Sequence, residues 1–350
     1  MSELASESSD TGRPRAASPS LRGDVGSDVD LSVHLTPDDI VRGLRSDVRT
    51  GLTTAPKTLP PKWFYDARGS ELFEQITRLP EYYPTRAEAE ILAARSPEIA
   101  SLTGASTLVE LGSGSSEKTR LLLDALRGHG SLREIVTLDV SETALRDAAA
   151  TLAAAYDPVS VHGVVGDFTQ HLALLPGAPV RLVAFLGGTI GNLLPAERSK
   201  FLSAVRDTLD EGEWLLLGTD LVKSPEVLVP AYDDAAGVTA EFNRNVLHVL
   251  NRELAADFDP TAFEHVARWD EEEERIEMRL RATRPMEIHV PVVGLTVRFA
   301  EGEEMRTEVS SKFRRERVTT ELADAGFELE HWWTDEQARF GVSLSKAVAR

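Results

Sequence analysis

Between about Ala87 and Val222, short apolar runs alternate with stretches whose apolar residues recur every three or four positions. STLVEL leads into a helical pattern ending at Gly128, and EIVTLDV into one starting at Ser141. Then follow VHGVVGDF, RLVAFLGGTIGN, a helical PAERSKFLSAVRDTL and the run WLLLGTDLV. Unbroken apolar runs suit strands buried on both faces, and their interleaving with amphipathic helices predicts βαβ units, hence a parallel sheet covered on both sides. The pattern changes from about Lys223. A helical region, PEVLVPAYDDAAGVTAEFNRNVLHVLNREL, leads into FEHVARW, RIEMRLRA, MEIHVPVVGLTVRF and EMRTEVSSKF, where apolar and polar positions alternate. Period two predicts antiparallel strands with one wet face. RVTTELADAGFELEHWWTD and FGVSLSKAV then predict a helix and a strand pair that rejoin the parallel sheet at its edge, which makes the alternating segment an insertion.

Upstream, LTPDDIVRGLRSDVRTGL is helical, with Thr36 as N-cap and Pro37 in the first turn. Met1 to about Asp30 is rich in Ser, Asp, Arg and Gly and holds too few large apolar residues to offset the entropy of ordering, so a disordered tail is expected there. The 350 residues, 42% of them hydrophobic, suffice for two domains. A net charge of −19 disfavours nucleic acid, whose binding rests on clustered Lys and Arg, and makes a small molecule the better expected partner. With no cysteine, no membrane-length apolar run and no signal pattern, a soluble cytoplasmic monomer is expected, without disulfides or thiolate metal sites. The eight histidines show no ligand spacing, so no metal is expected, and DEEEERIE reads as a solvated turn and strand edge.

The stretch LVELGSGSSEKTRLLLDAL is the first βα turn of the parallel sheet, the usual ligand anchor of such folds. Gly112 and Gly114 permit a tight turn, and Ser115 or Ser116 caps the helix. Lys118, a cation in the first helical turn, points either to an anion in front of it or to a solvated surface. Glu117 occupies the place of the third glycine of a dinucleotide fingerprint and of the glycine before a phosphate-loop lysine, which weakens the nicotinamide oxidoreductase and ATPase readings. Asp139 closes the second run, where a carboxylate meets ribose hydroxyls; Asp167 and Phe168 close the third, where a carboxylate and a ring suit a purine. Singly, each aspartate also reads as a cap. Together they suit a nucleoside with a short amino-acid tail, S-adenosylmethionine.

With PPKWFYDARGSELFEQITRLPEYYPTRAEAEIL, FLGGTIGN, AYDDAAGVTAEFNRNVL and EEMRTEVSSKFR added to that turn, the chain from about Leu35 closely resembles the L-histidine Nα-methyltransferases of ergothioneine biosynthesis. The resemblance implies an α/β fold: a Rossmann-like, seven-stranded methyltransferase sheet, residues 86–222 and 312–350, with a smaller α+β substrate-binding domain, residues 31–85 and 223–311. It implies three methyl transfers to the α-amine of histidine, giving hercynine. It carries Gly112, Lys118, Asp139, Asp167 and Phe168 to S-adenosylmethionine, and Tyr82, Gly187, Asn192, Tyr232, Met278, Glu308 and Ser310 to histidine, with Tyr65 and Asn192 at the reacting amine. Residue chemistry supports part of this. Glu308 and Ser310, two apart on a strand, face the same way, so a carboxylate and a hydroxyl can serve both imidazole nitrogens, although a solvated face fits the same spacing. Asn192 and Tyr232 can hold a carboxylate. Tyr65 is expected to orient the amine and help its proton leave, while Asn192 shields or bonds the nitrogen. Two rivals remain: a related methyltransferase for another amine, since Glu308 also suits an ammonium, and a non-catalytic binding protein.

Overall fold

The computed structural model describes residues 29–112 and 118–349. The expected tail lies almost wholly outside them, as do Gly114, Ser115, Ser116 and Glu117. In chain order the elements are β1 (Val29–Val33), α1 (Pro37–Thr53), β2 (Lys57–Thr58), α2 (Ala67–Thr77), α3 (Pro84–Thr103), β3 (Thr107–Leu111), α4 (Thr119–His129), β4 (Glu134–Asp139), α5 (Glu142–Tyr156), β5 (Ser160–Val165), β6 (Arg181–Phe185), α6 (Pro195–Thr208) and β7 (Trp214–Asp220). There follow α7 (Pro225–Leu228), α8 (Val238–Leu254), β8 (Phe263–Asp270), β9 (Arg275–Ala282), β10 (Met286–Val290), β11 (Leu295–Phe299), β12 (Glu304–Ser311), α9 (Arg315–Ala325), β13 (Phe327–Thr334) and β14 (Phe340–Ala347).

The large sheet runs β1-β5-β4-β3-β6-β7-β14-β13, parallel except for β14, which lies antiparallel to both β7 and β13. Its strand order reverses between β3 and β6, which opens a crevice beyond the carboxyl ends of those strands. Every residue of β3, β6 and β7 is buried, as the unbroken apolar runs require. The returning strand pair lands at the edge, as the sequence suggests.

Two expectations change. The sheet has eight strands, because β1 pairs with β5 from Val29↔Val161 to Val33↔Val165. Residues 31–33 therefore join the large sheet and not the second region, where the division at 31–85 put them. The cause is local: VDLSV alternates with period two, and Gly163 leaves room for the Leu31 side chain, which a Cβ there would meet at 2.7 Å. Thr36 does cap α1, in a reciprocal box with Asp39.

The second region has a four-stranded sheet, β2-β12-β9-β8, a separate β10-β11 hairpin, and its own core, to which Leu44, Phe64, Leu72, Phe242, Val246 and Leu280 belong. DEEEERIE is the β8–β9 turn, but Glu277 at its end is buried and held by Arg275, Arg279 and Arg306. The two regions meet where the 3-10 turn Thr189–Asn192 after β6 packs on β12. Gly191 permits that approach, since a Cβ there would lie 2.8 Å from the Ser311 carbonyl oxygen. Buried Arg198 braces the junction, donating to Leu193 O (2.8 Å), Ser311 Oγ (3.2 Å) and the Glu321 carboxylate (2.8 and 2.9 Å). Among the described residues, no helix is long and apolar enough to cross a membrane.

Candidate active site

The five residues expected at the methyl donor stand at the carboxyl ends of β3, β4 and β5 or just beyond. Backbone bonds hold these ends level: Gly112 N–H donates to Leu138 O (2.8 Å) and Gly166 N–H to Asp139 O (2.9 Å). Gly112 has φ +74°, a conformation that favours glycine, and among the described residues nothing lies within 4 Å of where its Cβ would be. Asp139 accepts from Ser141 N–H at 3.0 Å. Asp167 accepts from Thr169 N–H and Oγ–H (2.8 and 2.6 Å) and from the Gln170 amide (3.1 Å), and Phe168 packs on Phe185 and Phe201. Capping and ligand binding are thus compatible here: both carboxylates brace their own turns and stay partly exposed. Lys118 faces an anion, but one supplied by the protein. Its ammonium pairs with fully buried Glu88 of α3, whose oxygens also accept the Gly187 N–H (2.8 and 2.9 Å). Gly218 on β7 gives Glu88 its space, since a Cβ there would overlap Oε1.

The eight remaining residues line one cleft between the two regions, which encloses about 610 Å³ including its open mouth. Tyr65, Tyr82, Gly187, Asn192, Tyr232, Met278, Glu308 and Ser310 all face it, together with Phe73, Thr239, Phe242 and Asp220. Each is positioned by its element. Glu308 and Ser310 share a face of β12, and Met278 is the cross-strand partner of Glu308. Tyr65 follows the 3-10 turn Pro61–Phe64 and precedes Asp66, which caps α2 at Gly69 N–H (2.8 Å) and accepts from Asn245 (2.7 Å) and Arg252 (2.8 Å). Its ring packs edge-on to Phe73 (5.5 Å) and Phe242 (5.4 Å). Tyr65 is 43% exposed because it forms the cleft wall. Its phenol end lies among protein groups, and desolvation, then the proximity of Glu308, hold its pKa above the usual range. Burial pushes the Glu308 carboxyl up to about 7, against the opposing pull of Lys312 and of a hydrogen bond from Asn192. Asn192 Nδ2 also donates to Val309 O at 2.8 Å, and its Oδ1 is an acceptor.

Residues 44–347 match the model of the family described as histidine-specific methyltransferase, SAM-dependent. The chain belongs to that family. It is 60% identical over 315 residues to a histidine N-alpha-methyltransferase of Mycolicibacterium smegmatis, covering 90% of this chain and 98% of that one. The corresponding Mycobacterium tuberculosis protein is 58% identical over 317 residues, 91% and 99% of the two chains. Ergothioneine biosynthesis protein 1 of Neurospora crassa is 32% identical over 294 residues, 80% of this chain but 32% of that longer one.

Behind the cleft of this histidine-specific methyltransferase lies a buried ionic network that the sequence reading missed. Asp220, at the end of β7, accepts from Tyr83 OH (2.9 Å to each oxygen), Lys223 Nζ (2.6 Å) and Lys312 Nζ (2.8 Å). Lys312 also donates to Tyr232 OH and Ser310 Oγ, each at 2.8 Å. Burial lowers the Lys223 pKa to about 8 despite Asp220 beside it. His265, buried, takes a hydrogen from Asn243 at Nδ1 and donates from Nε2 to the Tyr232 carbonyl (both 2.8 Å), which holds the Tyr232 backbone in place. A signal for Asp220 existed, an acid closing an apolar run like that at Asp139. Lys312 gave none, because one lysine in an alternating strand reads as its wet face.

Proposed function

We propose that the chain transfers three methyl groups in turn from S-adenosylmethionine to the α-amine of L-histidine, yielding hercynine for ergothioneine biosynthesis. The observation that carries this reading is the single cleft that gathers all eight expected acceptor residues beside the crevice of the methyltransferase sheet. Gly112, Lys118, Asp139, Asp167 and Phe168 would hold the donor: the level strand ends and the partly exposed carboxylates fit a nucleoside laid across them. The donor supplies an electrophilic methyl on a sulfonium. The protein's part is to hold an amine lone pair in line with it, and positioning of this kind accounts for most of the acceleration available.

Counted from the ammonium form, each transfer needs one proton lost first, to water at the open mouth of the cleft, and then forms one N–C bond and breaks one S–C bond. Tyr65, whose phenol pKa is raised, orients the amine and, directly or through water, helps its proton leave. Asn192 Oδ1 accepts an amine N–H. Glu308 takes the ring N–H and Met278 covers the ring. Asn192 and Tyr232, which both line the cleft, take the substrate carboxylate; Asn192 also bonds Val309 and Glu308, and the Tyr232 hydroxyl also meets Ser310 and Lys312. The reading is of a cytoplasmic monomer; the net charge of −19 keeps copies apart.

Calorimetry with S-adenosylhomocysteine present and L-histidine, histamine, L-alanine or L-lysine as titrant tests the site. Histidine is expected to bind best, histamine roughly 10-fold or more weakly for loss of a charged contact, and alanine not measurably. Alanine or lysine binding as well as histidine would remove the ring from the assignment.

A further inference from the structure

Lys312 is fully buried just beyond β12, and its ammonium has three partners at 2.8 Å: Asp220 Oδ2, Tyr232 OH and Ser310 Oγ. An ammonium carries three hydrogens and no lone pair, so it donates in all three directions. Tyr232 OH and Ser310 Oγ also bond each other at 2.8 Å. These two hydroxyls own two hydrogens. Each already accepts one from Lys312, and one of their own lies between them. The remaining hydrogen is free for the cleft, which both residues line. Whichever hydroxyl carries it, the pair offers a ligand one donor and little acceptor capacity. The charge behind the pair has the same sense: Asp220 balances only one of Lys223 and Lys312.

We propose that Lys312 is a specificity-determining positioning residue, which polarises the Tyr232–Ser310 pair so that this wall accepts a ring nitrogen lone pair or other acceptor and rejects a cationic side chain. The proposal rests on the histidine reading and answers a problem within it. Glu308 alone would attract an ammonium as readily as an imidazole N–H, whereas the hydroxyl pair beside it presents one hydrogen, one spare lone pair and a buried cation behind them. Discrimination therefore comes from repulsion as much as from attraction. With Lys312 donating, the ring is bound neutral, its N–H on Glu308 and its lone pair toward the pair of hydroxyls.

The test is a cycle of variants titrated with L-histidine and L-lysine, with thermal unfolding and S-adenosylhomocysteine affinity as controls for the fold and the donor site. Lys312→Met keeps the side-chain length and leaves Asp220 balanced by Lys223. It is expected to weaken histidine binding about 10-fold, as for one charge-assisted hydrogen bond, with kcat changed less than KM. The histidine-to-lysine preference should fall with it. In a Tyr232→Phe, Ser310→Ala background, the same substitution should have little further effect, because the hydroxyls through which Lys312 acts are gone. Lys312→Gln, which retains two donor hydrogens, should recover part of the histidine affinity, and it takes the place of Lys312→Met if that variant does not fold. An equal loss with and without the two hydroxyls, or an unchanged histidine-to-lysine preference, overturns the proposal. Failure of the unaltered protein to bind histidine overturns the acceptor reading itself.

Discussion

Replacing Glu308 by Gln is expected to lower kcat/KM for histidine by roughly 10- to 100-fold, since a hydrogen bond to a charged group contributes about 1.5–3 kcal/mol. The variant keeps shape and one acceptor oxygen, so the fold should be unaffected. The pH profile carries the sharper expectation. Burial raises the Glu308 pKa to about 7, so in the free enzyme the ionised form that accepts a ring N–H becomes dominant only above that pH. The free-substrate imidazole, near 6.5, and the α-amine must lose protons as well. Below about pH 7 the plot of log kcat/KM should therefore rise with pH in the unaltered enzyme one unit of slope more steeply than in Glu308→Gln. Parallel profiles would show that Glu308 does not act as a carboxylate on the ring.

The largest loss of stability is expected from Asp220→Asn. This carboxylate is the sole acid hydrogen-bonded to both Lys312 and Lys223 among the described residues, and removing one partner of a buried ion pair costs about 3–5 kcal/mol. Burial pushes the Asp220 pKa up, but Lys312 and Lys223 together outweigh it, and the carboxyl ends below its usual value. A depressed carboxyl stabilises the folded state above its unfolded pKa, near 3.9, and loses that contribution as pH falls through the folded value. Urea unfolding of the two proteins should thus show the full difference at pH 6–7 and a narrowing gap in acid. A difference below about 1 kcal/mol at neutral pH would mean that water or another group already compensates the lysines.

The parts legible in the sequence are those that depend on local pattern. Unbroken apolar runs gave the parallel strands, and the residues closing them, Asp139 and Asp167, stand where the crevice opens. Period two put Glu308 and Ser310 on one face of β12. The motifs around Tyr65 and Tyr82 carried the resemblance that brought the two regions to one cleft. What escaped depends on partners distant in the chain. Glu88 in a helix, Lys312 on a strand end and Lys223 in a loop all look like solvated charges until Gly187, Asp220 and Tyr83 are seen against them. Strand β1 escaped for a related reason: five residues of mixed polarity become a strand only because β5 offers an unpaired edge.

Mass spectrometry of products from the purified protein, S-adenosylmethionine and each amino acid in separate reactions decides whether this cleft methylates histidine. Mono-, di- and trimethylated histidine, appearing in that order and in the histidine reaction alone, is the predicted result. Methylation of another amino acid in preference to histidine would keep the donor crevice and contradict the reading of the cleft. No methylation at all, from folded protein that binds S-adenosylhomocysteine, would contradict the assignment of catalysis.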